Sequence, residues 1–291
     1  MKIGRRILCI ALFIALACAL PLAAQYPEAW TKPFPPFRIA GNLYYVGSED
    51  LASYLIATPQ GLILINSDLE VSVPLIQKSV ESLGFRFSDI KILLISHAHN
   101  DHCSGSARII QLTGAKYFVM DGDVPVVESG GKADFQYGAD LFMRYPPAHV
   151  DRVLHDGDAV ALGGTVLTAH LTPGHTKGTT TWTMDETEGG RVLHVVIVGG
   201  LSVYDGYKLV NNSAYPQIAA DFARSFKASK GLQCDIFLGA HGSYFGLKEK
   251  HARWKAGDIE AFIDPAGYKA YVADREQAFE AELQRQSAAA K

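Results

Sequence analysis

The sequence has little net charge, few cysteines and no long apolar run beyond its first residues. Its 27 lysines and arginines nearly balance 30 aspartates and glutamates, which gives a formal net charge of −3. This balance argues against a nucleic-acid partner, because proteins that bind nucleic acid present a basic surface. After residue 24 no stretch approaches the ~18 apolar residues that a membrane span needs, so we expect no membrane anchor.

The first 24 residues differ in character from the rest of the chain. Lys2, Arg5 and Arg6 precede an apolar run over residues 7–20, and small residues follow before Gln25. This order is typical of a secretory signal peptide, and the apolar run is short for a membrane span. We therefore expect a soluble periplasmic protein with a single domain over residues 25–291. Its net charge is −6, because three basic residues leave with the signal.

Removal of residues 1–24 leaves two of the four cysteines, Cys103 and Cys234. The periplasm is oxidising, so a disulfide between them could form. Two separate buried thiols are at least as consistent with the sequence, because pairing depends on a Cα distance that the sequence does not give. The sequence leaves both alternatives open.

Apolar periodicity and turn residues predict an α/β protein with two similar halves. The predicted strands are 42–46, 53–57, 62–66, 90–95, 116–120, Val153, 160–162, 165–171, 179–184, 192–198 and 235–238. The predicted helices are 72–84, 107–112, 213–230 and a last one that begins at Asp264 and Pro265. We expect Val153 to join the hairpin strands that follow it. Strand-rich halves flanked by helices predict two packed sheets with helices outside, an αβ/βα four-layer sandwich.

The loop 96–102 places three histidines and an aspartate directly after a run of branched apolar residues. That run is typical of a buried parallel strand, and ligands bind at the C-terminal ends of such strands. His97 and His99 face the same side of an extended segment, whereas Asp101 and His102 follow a turn, so one loop could serve two metal ions. Imidazole and carboxylate ligands suit zinc, and less specifically iron, manganese or cobalt. The simpler alternative is a polar turn with scattered histidines, and the preceding strand argues against it.

Two further histidines, His175 and His241, also stand at the C-terminal ends of predicted strands. They could complete two sites of three ligands each, which are His97, His99 and His175 for the first metal and Asp101, His102 and His241 for the second. The other histidines lack this context, and we assign them to structure or surface: His149, His155, His170, His194 and His251. The irregular segment 130–145 is typical of a lid over a site or of a packed surface loop.

The loop 96–102 resembles the His-x-His-x-Asp-His marker of the metallo-β-lactamase superfamily, and His175 and His241 fit the later part of that pattern. The similarity extends over nearly the whole mature chain and is greatest to the subclass B3 enzymes. The segments 145–153, 206–212 and 264–268 resemble that subclass. Other dinuclear hydrolases of the superfamily have a metal-bridging aspartate after the strand that ends here at Val198. This chain has Gly-Gly-Leu-Ser at that point, which favours the β-lactamase branch.

The resemblance implies a metallo-β-lactamase, a hydrolase of antibiotic resistance that opens the β-lactam ring of penicillins, cephalosporins and carbapenems with two zinc ions per chain. The implied nucleophile is a hydroxide held between the metals and oriented by Asp101, since metal-bound water can reach a pKa of about 7. Ser202 is implied to hold the substrate carboxylate, and Gln136 and Tyr137 are weaker candidates for substrate contacts. The expected partner is this small-molecule substrate, and we expect a monomer, although the sequence leaves the oligomeric state open.

Three residues depart from the subclass pattern. Gly200 stands where a serine is common, Asn100 replaces an aromatic residue, and Tyr268 replaces a cysteine that in several relatives pairs with the equivalent of Cys234. These departures suggest an altered substrate range and a lost disulfide, and Gly200→Ser is expected to raise activity modestly. Two other functions stay open: an exported metallo-hydrolase of the same fold that acts on lactones or other cyclic amides, and a weakly active periplasmic zinc-binding protein.

Overall fold

The computed structural model describes residues 26–290, so the predicted signal peptide over residues 1–24 lies outside the described residues. None of the helices in residues 26–290 combines the length and the apolar character needed to cross a membrane. Two β-sheets pack against each other with helices on their outer faces, and the predicted αβ/βα sandwich is therefore confirmed.

The first sheet contains seven strands whose spatial order follows their order in the chain. They are β1 (Phe37–Ala40), β2 (Leu43–Tyr45), β3 (Tyr54–Thr58), β4 (Gly61–Ile65), β5 (Ile90–Leu94), β6 (Lys116–Met120) and β7 (Arg152–Leu154). Strands β1 to β4 form an antiparallel meander, and β4 to β7 run parallel. The loops that follow β4, β5 and β6 therefore meet at one edge of the sheet.

The second sheet contains β8 (Ala159–Leu162), β9 (Thr165–Leu171), β10 (Thr180–Glu188), β11 (Arg191–Val198) and β12 (Ile236–Gly239). Neighbouring strands pair in chain order, and all pairs are antiparallel except β11 with β12. The turn between β10 and β11 is Gly189-Gly190, with φ values of 59° and 79°. A two-residue hairpin turn of this kind needs left-handed backbone, which glycine adopts without strain.

The helices of residues 26–290 lie outside the two sheets. They are α1 (Glu28–Thr31), α2 (Val73–Ser82), α3 (Asn100–Cys103), α4 (Ser106–Thr113), α5 (Val124–Glu128), α6 (Ile218–Gly231), α7 (Leu247–Lys255) and α8 (Pro265–Ala289). Apolar residues of α2, α4 and α5 pack on the first sheet, and those of α6 and α8 pack on the second. Phe222 of α6 stacks on Phe279 of α8 with the ring centroids 5.4 Å apart.

Alternation along β4 divides its apolar side chains between two cores. Ile63 and Ile65 face the second sheet, whereas Leu62 and Leu64 face the helices. Strand β5 is buried on both faces except at Lys91, as expected for a central parallel strand. Because β5 is held on both sides, the histidine-rich loop after it leaves the sheet from a fixed point.

The position of Val153 differs from its prediction. Val153 lies in β7, which pairs in parallel with β6 of the first sheet, so the prediction that it joins the following hairpin is wrong. The turn around Gly157 instead carries the chain from the first sheet to β8 of the second. A short strand can pair with any open sheet edge, and the choice of edge is made by tertiary packing.

The helices also differ from their predictions, and the short helices α1, α3 and α5 were not predicted. Helix α6 begins five residues later than predicted, because the side chain of Asn212 accepts hydrogen bonds from the N–H groups of Ala214 and Tyr215 and turns the chain there. Helix α7 was not predicted, since its sequence is mostly charged and polar and buries only Leu247 and Lys250. The differences at α6 and α7 do not affect the loops that carry the histidines, whereas α3 contains Asp101 and His102.

We expect the buried carboxyl group of Glu186 in β10 to make the stability of the protein depend on pH. This side chain is buried, and burial, the main cause, raises its pKa from 4.5 to about 7. The folded protein therefore binds a proton that the unfolded chain releases, and stability falls as the pH rises from about 4.5 to about 7. We expect Glu186→Gln to raise the free energy of unfolding by about 1–3 kcal/mol at pH 8 and by little at pH 4.

Urea unfolding at the two pH values measures this difference, and Glu188→Gln is the matched control. Glu188 accepts hydrogen bonds from Arg38 and from the Gly41 N–H, and its pKa is lowered mainly by the Arg38 hydrogen bond. Its replacement should therefore reduce stability at pH 8. A Glu186→Gln protein that is less stable than the wild type at pH 8 would contradict the prediction.

Candidate metal centre

The six side chains predicted as ligands lie together at one end of the sandwich, and each residue is at most 7% exposed. Four of them come from the loop after β5 and from α3: His97, His99, Asp101 and His102. The other two come from the second sheet, with His175 in the β9–β10 connection and His241 two residues after β12. The ends of separate strands thus converge on one cluster, as the strand-end placement predicts.

Asp101, His102 and His241 form a triangle of ligand atoms. The Nε2 atoms of His102 and His241 are 3.1 Å apart, and Asp101 Oδ2 lies 3.3 Å from the first and 3.5 Å from the second. Ligands of a tetrahedral zinc ion, at about 2.0–2.2 Å from the metal, are about 3.3–3.6 Å from one another. The three side chains therefore fit one face of a tetrahedral metal site.

His97, His99 and His175 form a second group, whose ligand atoms lie within 4.8 Å of one another. His175 Nδ1 donates to the carbonyl of Ser202 at 2.8 Å, which leaves Nε2 unprotonated. This Nε2 is buried and has no hydrogen-bond partner among residues 26–290. A buried lone pair without a donor is costly, and a metal cation at this position satisfies it. The donor set and its geometry thus fit a metal ion here as well.

Burial and mutual repulsion keep four of the imidazoles neutral. Burial lowers the pKa of His97, His99, His102 and His175, and neighbouring imidazoles lower it further. The pKa falls to about 4 for His99 and to about 3 for His175. Neutral imidazole offers the lone pair that binds a metal, so these side chains are in their ligand form at neutral pH.

The electrostatic environment of His241 raises its pKa, in contrast to the other four imidazoles. Burial acts to lower its pKa, but Asp101 and Asp50 raise the pKa to about 9. Burial likewise acts to raise the pKa of Asp101, but His102 and His241 hold that pKa well below its usual range. The two carboxylates attract a positive charge to this position, and a metal cation supplies that charge in place of the His241 proton.

Asp50 orients His241 from outside the cluster. Its Oδ2 accepts a hydrogen bond from His241 Nδ1 at 3.0 Å, and its Oδ1 accepts one from the Ser243 N–H at 2.9 Å. This contact directs His241 Nε2 toward Asp101 and His102, as carboxylates do for many metal-binding histidines. Sequence reasoning missed Asp50, whose only signal is an acidic residue in a turn.

Asp123 ties the loops of the first group together. Its Oδ2 accepts hydrogen bonds from the Ala98 N–H and the Thr176 hydroxyl, and its Oδ1 accepts one from the Gly178 N–H, each at 2.8 Å. Ala98 lies between the first two histidines of the loop, and Thr176 follows His175. Burial raises the pKa of Asp123 to about 7, although the three hydrogen bonds lower it. Sequence reasoning also missed this residue.

Two of the three residues predicted to contact substrate, Ser202 and Tyr137, contact histidines of the cluster. Ser202 is buried, and its carbonyl accepts the hydrogen bond from His175. Tyr137 places its ring 5.3 Å from that of His99, and Gln136 precedes it on the same loop. The segment 130–145 therefore lies beside the cluster, and at its end the Tyr145 hydroxyl donates to the carbonyl of Ala98 at 2.8 Å.

Aromatic residues near the N-terminal end of the described chain also reach the cluster. The Tyr26 ring packs against Phe142 with centroids 4.9 Å apart, and the Tyr26 hydroxyl accepts a hydrogen bond from Asn100 Nδ2 at 3.1 Å. The Trp30 ring lies 5.7 Å from that of His241. This arm therefore packs beside the metal ligands, and its aromatic composition is its only signal in the sequence.

The structure also bears on the departures at Gly200 and Tyr268. A Cβ atom at Gly200 would lie 2.8 Å from His175 Cδ2, so a serine there requires the imidazole to move. The expected gain in activity from Gly200→Ser is therefore not supported by the geometry. Cys103 and Cys234 are both free and buried, and the Tyr268 hydroxyl donates to the carbonyl of Ser229 at 2.7 Å.

The described chain is similar to several known proteins. The metallo-beta-lactamase superfamily model matches residues 51–195. The FEZ-1 metallo-beta-lactamase of Legionella gormanii is 56% identical, with a TM-score of 0.89 over 90% of this chain and 99% of that one. BJP-1, a subclass B3 metallo-beta-lactamase of Bradyrhizobium japonicum, is 35% identical, with a TM-score of 0.85 over 91% and 99%.

One curated relative is more distant. A probable metallo-hydrolase of Burkholderia pseudomallei is 31% identical over 107 residues, which are 37% of this chain and 34% of that protein. The match thus spans about a third of the curated relative, whereas the solved structures match along nearly their whole length.

Proposed function

Because this chain belongs to the metallo-β-lactamase superfamily, we propose that it is a zinc-dependent hydrolase that opens the β-lactam ring of penicillins, cephalosporins and carbapenems. The similarity to the subclass B3 enzymes noted in the sequence is confirmed, and the chain is an enzyme of the metallo-β-lactamase class. The observation that carries the substrate proposal is the 56% identity to FEZ-1, which extends over 90% of the chain.

The proposal includes two zinc ions per chain. His97, His99 and His175 would hold the first, and Asp101, His102 and His241 would hold the second. The near-tetrahedral spacing of the second group and the unsatisfied His175 Nε2 of the first support this assignment. Zinc supplies Lewis-acid chemistry at such a site, because it lowers the pKa of water to about 7 and polarises carbonyl groups.

The chain's own residues would orient the reactants. Asp101 directs Oδ2 toward His102 and His241, and its other carboxylate oxygen would accept a hydrogen bond from the attacking hydroxide and so orient it. We assign Ser202 to the substrate carboxylate and assign Gln136 and Tyr137 to contacts over the bound substrate. Buried imidazoles and aromatic rings around the cluster exclude bulk water, which strengthens these polar contacts.

Hydrolysis assays on zinc-loaded protein test the function. Nitrocefin, benzylpenicillin and a carbapenem should be hydrolysed, and a panel of lactones should not. Hydrolysis of lactones alone would replace the proposal with a metallo-hydrolase of another substrate class. Bound zinc without hydrolysis of either panel would leave a zinc-binding protein.

We also propose that the protein is exported and acts in the periplasm. The basic, apolar and small-residue order of residues 1–24 supports this, and intact-mass analysis of the periplasmic fraction should show a chain that begins near Gln25. A mass that retains Met1, or that carries lipid on Cys18, would overturn the assignment.

A further inference from the structure

Asp134 approaches the metal cluster from the loop after α5, and its two carboxylate oxygens have different environments. Its Oδ1 accepts hydrogen bonds from the backbone N–H groups of Gln136 and Tyr137, at 2.8 and 2.6 Å. Its Oδ2 is buried, lacks a hydrogen-bond partner within residues 26–290, and lies 3.8 Å from Nε2 of His99. The side chain as a whole is only 4% exposed.

The Nε2 atom of His99, which faces Asp134 Oδ2, is also unsatisfied. His99 Nε2 is buried and also has no hydrogen-bond partner in the described part of the chain. A separation of 3.8 Å is too long for a hydrogen bond, and a small rotation of the ring or carboxylate is enough to close it. An acceptor and a potential donor, each unsatisfied and each buried, thus face one another across a short gap.

We propose that Asp134 is a positioning residue that accepts a hydrogen bond from the Nε2–H group of His99 and so fixes the tautomer in which Nδ1 of His99 faces the first metal. This proposal rests on the proposed function, because it requires a metal ion held by His97, His99 and His175. Carboxylates that accept the second ring proton of a metal-binding histidine fix its orientation and strengthen it as a ligand.

The need for such a residue follows from the different geometry of the three histidines. Nδ1 of His175 donates to a backbone carbonyl and Nδ1 of His97 lies 3.2 Å from the Ser96 hydroxyl, so Nε2 is the nitrogen that each of them has free for a metal. His99 instead directs Nε2 away, toward Asp134. Without an acceptor on Nε2, either nitrogen of His99 can carry the proton, and one of the two tautomers cannot bind the metal.

The same carboxylate also ties the substrate loop to the metal site. The backbone of Gln136 and Tyr137, two candidate substrate contacts, is held by Oδ1, while Oδ2 faces His99. An asparagine can place an oxygen on only one of these two sides, and its amide group would then face donors on the other. Asp134→Asn, which is nearly isosteric, therefore tests whether both carboxylate oxygens are needed as acceptors.

The first measurement is zinc affinity, obtained by titration of the metal-free exported chain against a chromogenic chelator. Asp134→Asn should weaken one of the two zinc affinities by about 10- to 100-fold. The matched control is Asp140→Asn on the same loop, because exposed Asp140 accepts a single backbone hydrogen bond, from Phe142 at 2.9 Å, which an amide oxygen can retain. The control should keep both affinities within about twofold.

The second measurement is made first on the wild type, so it does not depend on whether a variant folds. Nitrogen-15 NMR of the histidines in the zinc-loaded wild type should show His99 with a protonated Nε2 and a metal-bound Nδ1, and Asp134→Asn should remove the downfield shift of that proton. Unchanged zinc affinity in Asp134→Asn, or a metal-bound Nε2 on His99, would overturn the inference while the proposed function stands. A wild type that binds no zinc would overturn both.

Discussion

His241→Ala is expected to remove one zinc ion per chain and to reduce β-lactam hydrolysis by on the order of 100-fold or more. The side chain contributes an Nε2 that lies 3.1 Å from that of His102 and 3.5 Å from Asp101 Oδ2. Its loss also leaves the carboxylates of Asp50 and Asp101 without the positive charge between them. Zinc per chain, measured by mass spectrometry after dialysis, should fall from two to about one.

His97→Ala should have an effect of the same size on the first site, because it removes a ligand that is 1% exposed and lies within the triad with His99 and His175. His149→Ala is the control, since that side chain is 85% exposed and its Nδ1 lies 3.1 Å from a carboxylate oxygen of Glu128. The control should retain full zinc content and activity. Two tightly bound zinc ions in either ligand variant would show that the six-residue assignment is wrong.

The ligand cluster could be predicted because its information is local in the sequence. A strand of branched apolar residues fixes where the chain leaves the sheet, and the spacing of His97 and His99 fixes the side they face. His175 and His241 each follow a strand as well, and the ends of those strands meet in the structure. The two-sheet architecture followed from the same periodicity, whereas the sheet joined by Val153 depended on packing that no local pattern records.

The residues that support the ligands could not be predicted, because their contacts are not local in the sequence. Asp50, Asp123 and Asp134 each stand in a turn or loop, where an aspartate is usually solvated. Their roles appear only when distant segments meet: Asp50 contacts a histidine 191 residues away, and Asp123 contacts a glycine 55 residues away. A pattern within one segment contains no information about such acceptors. The sequence motif therefore identifies the six cluster residues but not Asp50, Asp123 and Asp134.

Asp123→Asn is expected to have the largest effect on stability. The carboxylate accepts three hydrogen bonds at 2.8 Å in a position that is 1% exposed. An amide offers one oxygen, so its NH₂ group must face the N–H of Ala98 or of Gly178. We expect the free energy of unfolding to fall by about 2–4 kcal/mol and the midpoint of thermal unfolding by about 5–10 °C.

The same substitution should also weaken zinc binding at the first site, because Asp123 holds the loop of His97 and His99 against the loop of His175. Asp121→Asn is the matched control two residues away, since Asp121 is exposed, its Oδ1 accepts a hydrogen bond from the Gly122 N–H at 2.7 Å, and its Oδ2 lies 3.3 Å from Nδ1 of the exposed His155. Thermal unfolding of both variants, with and without zinc, separates the effects. If Asp123→Asn unfolded within about 0.5 kcal/mol of the control and bound zinc equally well, Asp123 would not be the residue that holds the two loops together.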